Sequence, residues 1–125
     1  MQVFEDFSLK EFNTFHIDAK ARFFASINSI EDLREGLTSD VHTSKFVLGG
    51  GSNMLLLHDI DALVLHINLK GIEKAKEDEN HVWVRVAAGE NWHEFVLFCV
   101  NSGYGGVENL SLIPGNVGTS PIQNI

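Results

Sequence analysis

Three consecutive glycines, Gly49-Gly50-Gly51, constrain this chain more than any other stretch. They follow the apolar run Phe46-Val47-Leu48, which predicts a short buried strand, and they precede Ser52 and Asn53. Residues without a Cβ tolerate positive φ angles and let another molecule lie against the backbone. Successive N–H groups in such a turn can form an anion-binding nest. The loop therefore predicts a phosphate or pyrophosphate site, with a tight turn that binds nothing as the open alternative.

The loop differs from two common phosphate motifs. No Gly-Lys-Ser/Thr follows, so it is not a P-loop, and Met54 stands where the dinucleotide fingerprint requires its third glycine. The apolar run Met54–Leu57 is predicted to be a strand. A phosphate would then be held in a strand–loop–strand nest, with Ser52 and Asn53 adding side-chain hydrogen bonds.

Charge and composition exclude several classes of partner. The net charge of −8 argues against nucleic acid and against an anionic membrane, because both are bound mainly through clustered Lys and Arg. No apolar run approaches the roughly 20 residues that span a membrane, and residues 1–6 do not resemble a signal peptide.

The single cysteine, Cys99, excludes an internal disulfide and indicates a reducing compartment, which we take to be the cytoplasm. A length of 125 residues fits one domain.

Apolar periodicity predicts strands alternating with two helices. Residues 1–21 are expected to be irregular and anchored by their phenylalanines. One helix begins after the N-cap Ser29 and the other after a capping box at Asn91 and Glu94. The first helix would bury Ile30, Leu33 and Leu37, and the second Trp92, Phe95, Val96, Cys99 and Val100. The other predicted strands are 22–27, 45–48, 63–67, 72–75 and 81–87, with a charged turn at 76–80.

The six histidines have no metal-ligand spacing, so we predict no metal site. Cys99 lies on the apolar face of its predicted helix and is expected to be a core residue. No Ser-His-Asp arrangement can be argued from the spacing.

The last stretch, residues 109–125, carries no charge and contains both prolines of the chain, Pro114 and Pro121. It also contains Gly115 and Gly118, with isoleucines and side-chain amides between them. Such a segment suits the lining of a flat, mostly neutral heterocycle, because glycine permits close approach and amides can satisfy ring N and O atoms. A long surface loop is the alternative. We expect the polypeptide to continue beyond Ile125.

These stretches together resemble a known family. The motifs are Asn13-Thr14-Phe15, Leu48 to Leu55, Ala88 to Trp92, Gly106 to Leu110 and Ile113 to Ile125, in this order. The set is similar to the N-terminal part of the UDP-N-acetylenolpyruvoylglucosamine reductase family (UDP-N-acetylmuramate dehydrogenases), flavoenzymes of bacterial peptidoglycan synthesis. The resemblance implies an α+β fold of the vanillyl-alcohol-oxidase (PCMH) type with small mixed sheets and two main helices. Residues 1–125 would form the N-terminal part of its FAD-binding domain.

The resemblance also implies a cofactor, a reaction and a set of binding residues. FAD would be reduced by NADPH, and hydride would pass to UDP-N-acetylglucosamine enolpyruvate, which would bind through a domain outside this chain. The residues implied to contact the FAD pyrophosphate are Gly49, Gly50, Gly51, Ser52, Asn53 and Met54. Those implied to run along the pyrophosphate and isoalloxazine are Ile113, Pro114, Gly115, Gly118, Thr119, Ile122 and Gln123, with Thr119 supplying a hydroxyl. The catalytic residues are expected downstream of Ile125, so the chain alone is expected to be inactive.

Two other functions stay open from the residues themselves. A non-catalytic nucleotide- or phosphate-binding module would need the glycine loop but not the Pro-Gly stretch. Another oxidoreductase on the same flavin fold would use both, although the run Ser120 to Ile125 favours the peptidoglycan enzyme.

Overall fold

The computed structural model describes every residue from Met1 to Ile125. The chain forms two compact units, Met1–Leu69 and Lys70–Ile125. Each unit has its own sheet, its own α-helix and its own apolar core. The predicted α+β class with small mixed sheets and two main helices is confirmed. No helix has the length and apolar character needed to cross a membrane.

The first unit is a four-stranded mixed sheet with one helix. Its elements are β1 (Phe4–Ser8), β2 (Lys20–Ile27), α1 (Ile30–Thr38), β3 (Lys45–Leu48) and β4 (Ile60–Ile67). The strand order is β1-β2-β4-β3, with β1 antiparallel to β2 and the other pairs parallel. Val64 of β4 packs into the core on one side of the sheet, and Leu63 and Leu65 pack on the other. Burial on both faces explains why Ala62–Leu65 in β4 form an unbroken apolar run.

The prediction of an irregular N-terminal segment is wrong for Phe4–Ser8, which form β1. The strand exists because it pairs with β2, and a partner distant in sequence leaves no local signature. The predicted aromatic anchoring holds for two of the four phenylalanines. Phe7 stacks on Phe24 with a centroid distance of 4.1 Å, and Phe12 packs at 5.0 Å from the same ring. Phe15, however, is 64% exposed.

Helix α1 begins where predicted, with the Ser29 hydroxyl accepting from the Asp32 N–H at 3.0 Å. Of the three residues predicted to be buried, Leu33 packs against the core, whereas Ile30 and Leu37 are exposed. The helix approaches the sheet through Gly36, where a Cβ would lie 2.7 Å from Leu65 Cδ2. This close contact depends on a residue without a side chain, so a pattern of apolar residues does not predict it.

The predicted strand Met54–Leu57 is also wrong. Residues 49–59 form the irregular crossover between the parallel strands β3 and β4. Met54 and Leu56 pack against the core, whereas Leu57 is 81% exposed. Residues 54–57 do alternate between half-buried and exposed side chains, but no neighbouring strand pairs with them.

The second unit consists of the hairpin β5 (Ile72–Glu77) and β6 (Val82–Val86), followed by α2 (Trp92–Asn101). Two short 3₁₀ helices follow, Glu108–Leu110 and Val117–Gln123. The charged turn is shorter than predicted because β5 continues through Lys76 and Glu77. Val84 and Val86 pack towards α2, as their alternation predicted.

The Asn91 half of the predicted capping box is present in α2, where Asn91 Oδ1 accepts from the Glu94 N–H at 3.1 Å. Trp92, Phe95, Val96 and Cys99 are buried as predicted, and Val100 is exposed. Gly103 follows the helix with φ +74°. Burial raises the pKa of the Cys99 thiol, which suits a core residue and disfavours a thiolate.

Candidate functional site

The glycine loop leaves the end of β3 with its backbone donors unused. None of the N–H groups from Gly49 to Asn53 donates a hydrogen bond within the protein. Gly51 has φ +63° and is buried, while Gly49, Gly50 and Ser52 are half-buried. Consecutive unpaired N–H groups beside a left-handed residue are the geometry of an anion nest.

The third glycine also has a packing role that the sequence did not reveal. A Cβ on Gly51 would lie 2.0 Å from the carbonyl oxygen of Phe12. The Gly51 carbonyl in turn accepts a hydrogen bond from the Thr14 N–H at 3.1 Å. The segment Phe12–Thr14 therefore lies directly against the loop and holds its position.

That supporting segment is itself fixed by Asn13, which is 4% exposed. Its Nδ2 donates to the carbonyls of Leu9 at 2.7 Å and Ile17 at 3.0 Å, and its Oδ1 accepts from the Ile17 N–H at 3.0 Å. The conspicuous Asn-Thr-Phe motif thus supports the glycine loop. Sequence reasoning noted the motif but gave it no structural role.

The remaining loop residues can offer an anion only uncharged hydrogen-bond donors. The side chains of Ser52 and exposed Asn53 make no hydrogen bond inside the protein, and the Met54 side chain packs against the core. No Lys or Arg occurs between Phe46 and Leu69. An anion at this loop would be held by N–H, hydroxyl and amide groups, which are donors that a pyrophosphate can use.

In the second unit, the neutral segment is tied to the turn that precedes α2. The Val117 N–H donates to the Glu90 carbonyl at 2.8 Å, and the Gly118 N–H donates to the Ala88 carbonyl at 3.0 Å. A Cβ on Gly118 would lie 2.6 Å from the Ala88 Cβ, so Gly118 allows this close approach. The Trp92 N–H donates to the Gly115 carbonyl at 3.0 Å.

The surface of this segment is apolar with a few polar groups. Pro114 is exposed and Ile122 is 75% exposed, whereas Ile113 and Gly115 are half-buried. The remaining predicted binding residues are Thr119, which donates its hydroxyl to the Asn116 carbonyl at 2.9 Å, and half-buried Gln123. The Thr119 oxygen keeps acceptor capacity, and the Gln123 amide makes no hydrogen bond within the protein. Such a surface can contact a heterocycle and satisfy its polar atoms.

Two residues that the sequence reasoning did not select hold the supporting turn. The Glu90 carboxylate accepts from the Gly71 N–H at 2.7 Å, and Lys70 Nζ donates to the Gly89 carbonyl at 2.5 Å. The available signal was the small-residue turn Ala88-Gly89-Glu90, which is one of the family motifs. Each predicted binding set therefore lies within one unit, with its own support.

Glu108 is the charged residue that directly precedes the neutral segment in the sequence. The pKa of Glu108 is lowered by hydrogen bonds from its own backbone N–H and from the Gly106 N–H, the latter at 2.5 Å. No group of three or more His, Cys, Asp or Glu side chains could hold a metal ion.

Comparison with known families matches residues 23–125 to the family described as FAD binding domain. This match covers most of the chain, so the chain belongs to this family of FAD-binding domains. The similarity extends to particular proteins. The chain is 57% identical over 125 residues to the UDP-N-acetylenolpyruvoylglucosamine reductase of Flavobacterium johnsoniae, covering all of this chain and 37% of that protein.

The same similarity recurs in other relatives. The chain is 50% identical over 127 residues to the UDP-N-acetylenolpyruvoylglucosamine reductase of Amoebophilus asiaticus, of which it spans 38%. A solved UDP-N-acetylenolpyruvylglucosamine reductase (MurB) from Thermus caldophilus has the same fold, with a TM-score of 0.67 and 23% identity over 94% of this chain and 39% of that one. The resemblance inferred from the motifs is confirmed. The chain spans less than two-fifths of each of these relatives.

Proposed function

We propose that this chain forms the first part of the FAD site of a UDP-N-acetylenolpyruvoylglucosamine reductase. The observation that carries the proposal is the row of unused N–H donors from Gly49 to Asn53, in a chain that belongs to a family of FAD-binding domains. The names of the relatives at 57% and 50% identity supply the particular enzyme.

The glycine loop binds the FAD pyrophosphate. Its N–H groups donate to phosphate oxygens, and Ser52 and Asn53 add side-chain donors, while packing of the Met54 side chain holds the far end of the loop. The Phe12–Thr14 segment keeps the loop rigid, so little ordering entropy is lost when the anion binds.

The segment Ile113 to Gln123 lines the rest of the pyrophosphate and the isoalloxazine ring. Gly115 and Gly118 keep its backbone close to the turn before α2, which presents the Thr119 oxygen and the Gln123 amide to the cofactor. The exposed apolar side chains, Ile122 among them, would be covered by the ring.

The chemistry that FAD supplies when bound is hydride transfer, from NADPH to the flavin and then to the enolpyruvyl double bond, giving UDP-N-acetylmuramate for peptidoglycan. This chain binds and orients the cofactor. Binding of UDP-N-acetylglucosamine enolpyruvate and proton transfer would belong to the part of such an enzyme that this chain does not span. All of this takes place in the cytoplasm.

Purified full-length protein tests the proposal directly. We expect a flavin absorption spectrum, and NADPH oxidation that depends on the enolpyruvyl substrate. A colourless protein that takes up no added FAD would contradict the cofactor assignment. A flavoprotein that oxidises NADPH but leaves this substrate unchanged would contradict the reaction while keeping the FAD site.

A pair of serine variants localises the site. Ser52→Ala removes a hydroxyl that makes no hydrogen bond within the protein, so we expect weaker FAD binding, by about tenfold, with unchanged stability. The matched control is Ser44→Ala, since the Ser44 hydroxyl is also unbonded but lies before β3. Equal FAD affinity in the two variants would contradict a role for Ser52.

A further inference from the structure

His93 lies in the first turn of α2 and contacts the residues that lead into the neutral segment. Its Nδ1 is 3.0 Å from Ser111 Oγ and 3.3 Å from the Leu112 backbone N. The preceding residue, Trp92, contacts Leu110 and Gly115, which lie before and after Ser111 and Leu112 in the sequence. Its Nε1 donates to the Leu110 carbonyl at 2.8 Å, and its backbone N–H donates to the Gly115 carbonyl at 3.0 Å. Residues 92 and 93 thus hold the chain from Leu110 to Gly115 across the start of α2.

The partners of His93 determine which of its ring nitrogens carries the proton. A backbone N–H can only donate, so the Leu112 N–H requires Nδ1 to be an acceptor. The ring is then neutral with its proton on Nε2, and the Ser111 hydroxyl donates to the same Nδ1. A proton on Nδ1 would face the Leu112 N–H and remove that hydrogen bond.

Leu112 needs such support. Its φ is +63°, a left-handed conformation that costs a non-glycine residue about 1 kcal/mol or more. Its side chain is 75% exposed, so burial does not compensate for the backbone strain. The hydrogen bond from its N–H to His93 is the local contact that favours the left-handed turn, and Ile113 follows directly.

We propose that neutral His93 is a positioning residue for the FAD site. Its Nδ1 holds the turn Ser111–Leu112 in the conformation that directs Ile113 to Gln123 along the cofactor, and loss of this acceptor weakens FAD binding. This inference rests on the proposed function, because it concerns the flavin-lining segment. The proposed role of His93 involves no contact with substrate or cofactor.

The test measures FAD affinity of the full-length protein and of variants at His93. His93→Asn keeps a hydrogen-bond acceptor near the Nδ1 position, so it should bind FAD within about threefold of wild type.

Two further variants complete the comparison. His93→Phe keeps a ring without an acceptor and should bind FAD about tenfold more weakly. His81→Asn removes an exposed histidine of the same unit and should bind FAD as tightly as wild type. The inference is overturned if His93→Asn binds FAD as weakly as His93→Phe, or if His93→Phe binds FAD as tightly as wild type. A wild-type protein that binds no FAD overturns the proposed function, and this inference with it.

Discussion

At the scale of single residues, the glycine loop and the motif beneath it act together. Gly51 is needed by the protein itself, since its φ is +63° and a Cβ would overlap the Phe12 carbonyl. A glycine triplet in a predicted binding loop therefore contains at least one member whose first requirement is packing. The sequence predicted where the loop lies, but it could not distinguish ligand contact from contact with a segment more than thirty residues away.

Gly51→Ala should destabilise the first unit by at least about 3 kcal/mol, because it combines left-handed strain with a backbone overlap that cannot relax through a side chain. Chemical denaturation measures this loss. Gly105→Ala is the control, as nothing lies within 4 Å of its added Cβ and no positive φ is required. A stability change below about 1 kcal/mol for Gly51→Ala would contradict the described contact.

Asn13→Ala should cost about 2–4 kcal/mol, since the Ile17 carbonyl and N–H lose the partner that Asn13 supplies, and the Leu9 carbonyl keeps only its hydrogen bond from the Phe12 N–H. It should also weaken FAD binding, because the segment supporting the glycine loop loses its order. Thermal unfolding and FAD titration measure the two effects, with exposed Asn101→Ala as control. Unchanged stability would show that the three hydrogen bonds contribute little.

At the scale of elements, the sequence predicted what is local and missed what depends on distant partners. Helix α2 was predictable because its cap, its buried face and its terminal glycine are all encoded within a short stretch. Strand β1 was missed because β2 supplies its pairing. Leu33 of α1 packs as predicted, but Ile30 and Leu37 were wrongly expected to be buried, because Gly36, a residue without a side chain, makes the close contact.

The cap of α2 gives a prediction at this scale. Asn91→Ala should destabilise the second unit by about 1 kcal/mol, since the Glu94 N–H loses its acceptor, and Asn91→Asp should be nearly neutral. Thermal unfolding of the three proteins provides the measurement. Equal loss in both variants would mean that the Asn91 amide nitrogen, and not its oxygen, is the stabilising group.

At the scale of the whole molecule, several carboxylates couple stability to pH. The pKa of Asp32 is lowered first by its hydrogen bond from the Asn28 N–H, and that of Asp78 by hydrogen bonds from the N–H groups of Asn80 and His81. The pKa of Glu108 is also lowered by backbone hydrogen bonds. Because the folded pKa is below the unfolded one, the unfolded chain binds more protons in acid. The resulting stability is present above the unfolded pKa and is lost as pH falls through the folded pKa.

Unfolding midpoints should therefore fall when the pH drops below about 4. Asp32→Asn and Asp78→Asn should each flatten this decline, and Glu79→Gln should leave it unchanged, as Glu79 is an exposed carboxylate without a hydrogen bond. The measurement is the denaturation midpoint of wild type and of each variant as a function of pH. An identical acid decline in all variants would contradict the coupling.

The acidic balance of the whole chain also bears on how FAD is held. With a net charge of −8 and no Lys or Arg between Phe46 and Leu69, we expect the pyrophosphate to be held by neutral donors. FAD affinity should then change by less than about threefold between roughly 50 and 500 mM salt, because screening acts on charged pairs. A steep loss of affinity with salt would indicate cationic side chains at the phosphates.

We propose that the N–H groups of Gly49 to Asn53 bind the FAD pyrophosphate, and backbone amide signals followed by NMR in the full-length protein, with and without FAD, measure this binding. We expect the amides of these residues to shift and their hydrogen exchange to slow, with smaller changes at the exposed hairpin turn Asp78–Asn80. If FAD binds but the amides of residues 49–53 stay unshifted and exchange at their free rate, these N–H groups do not hold the pyrophosphate.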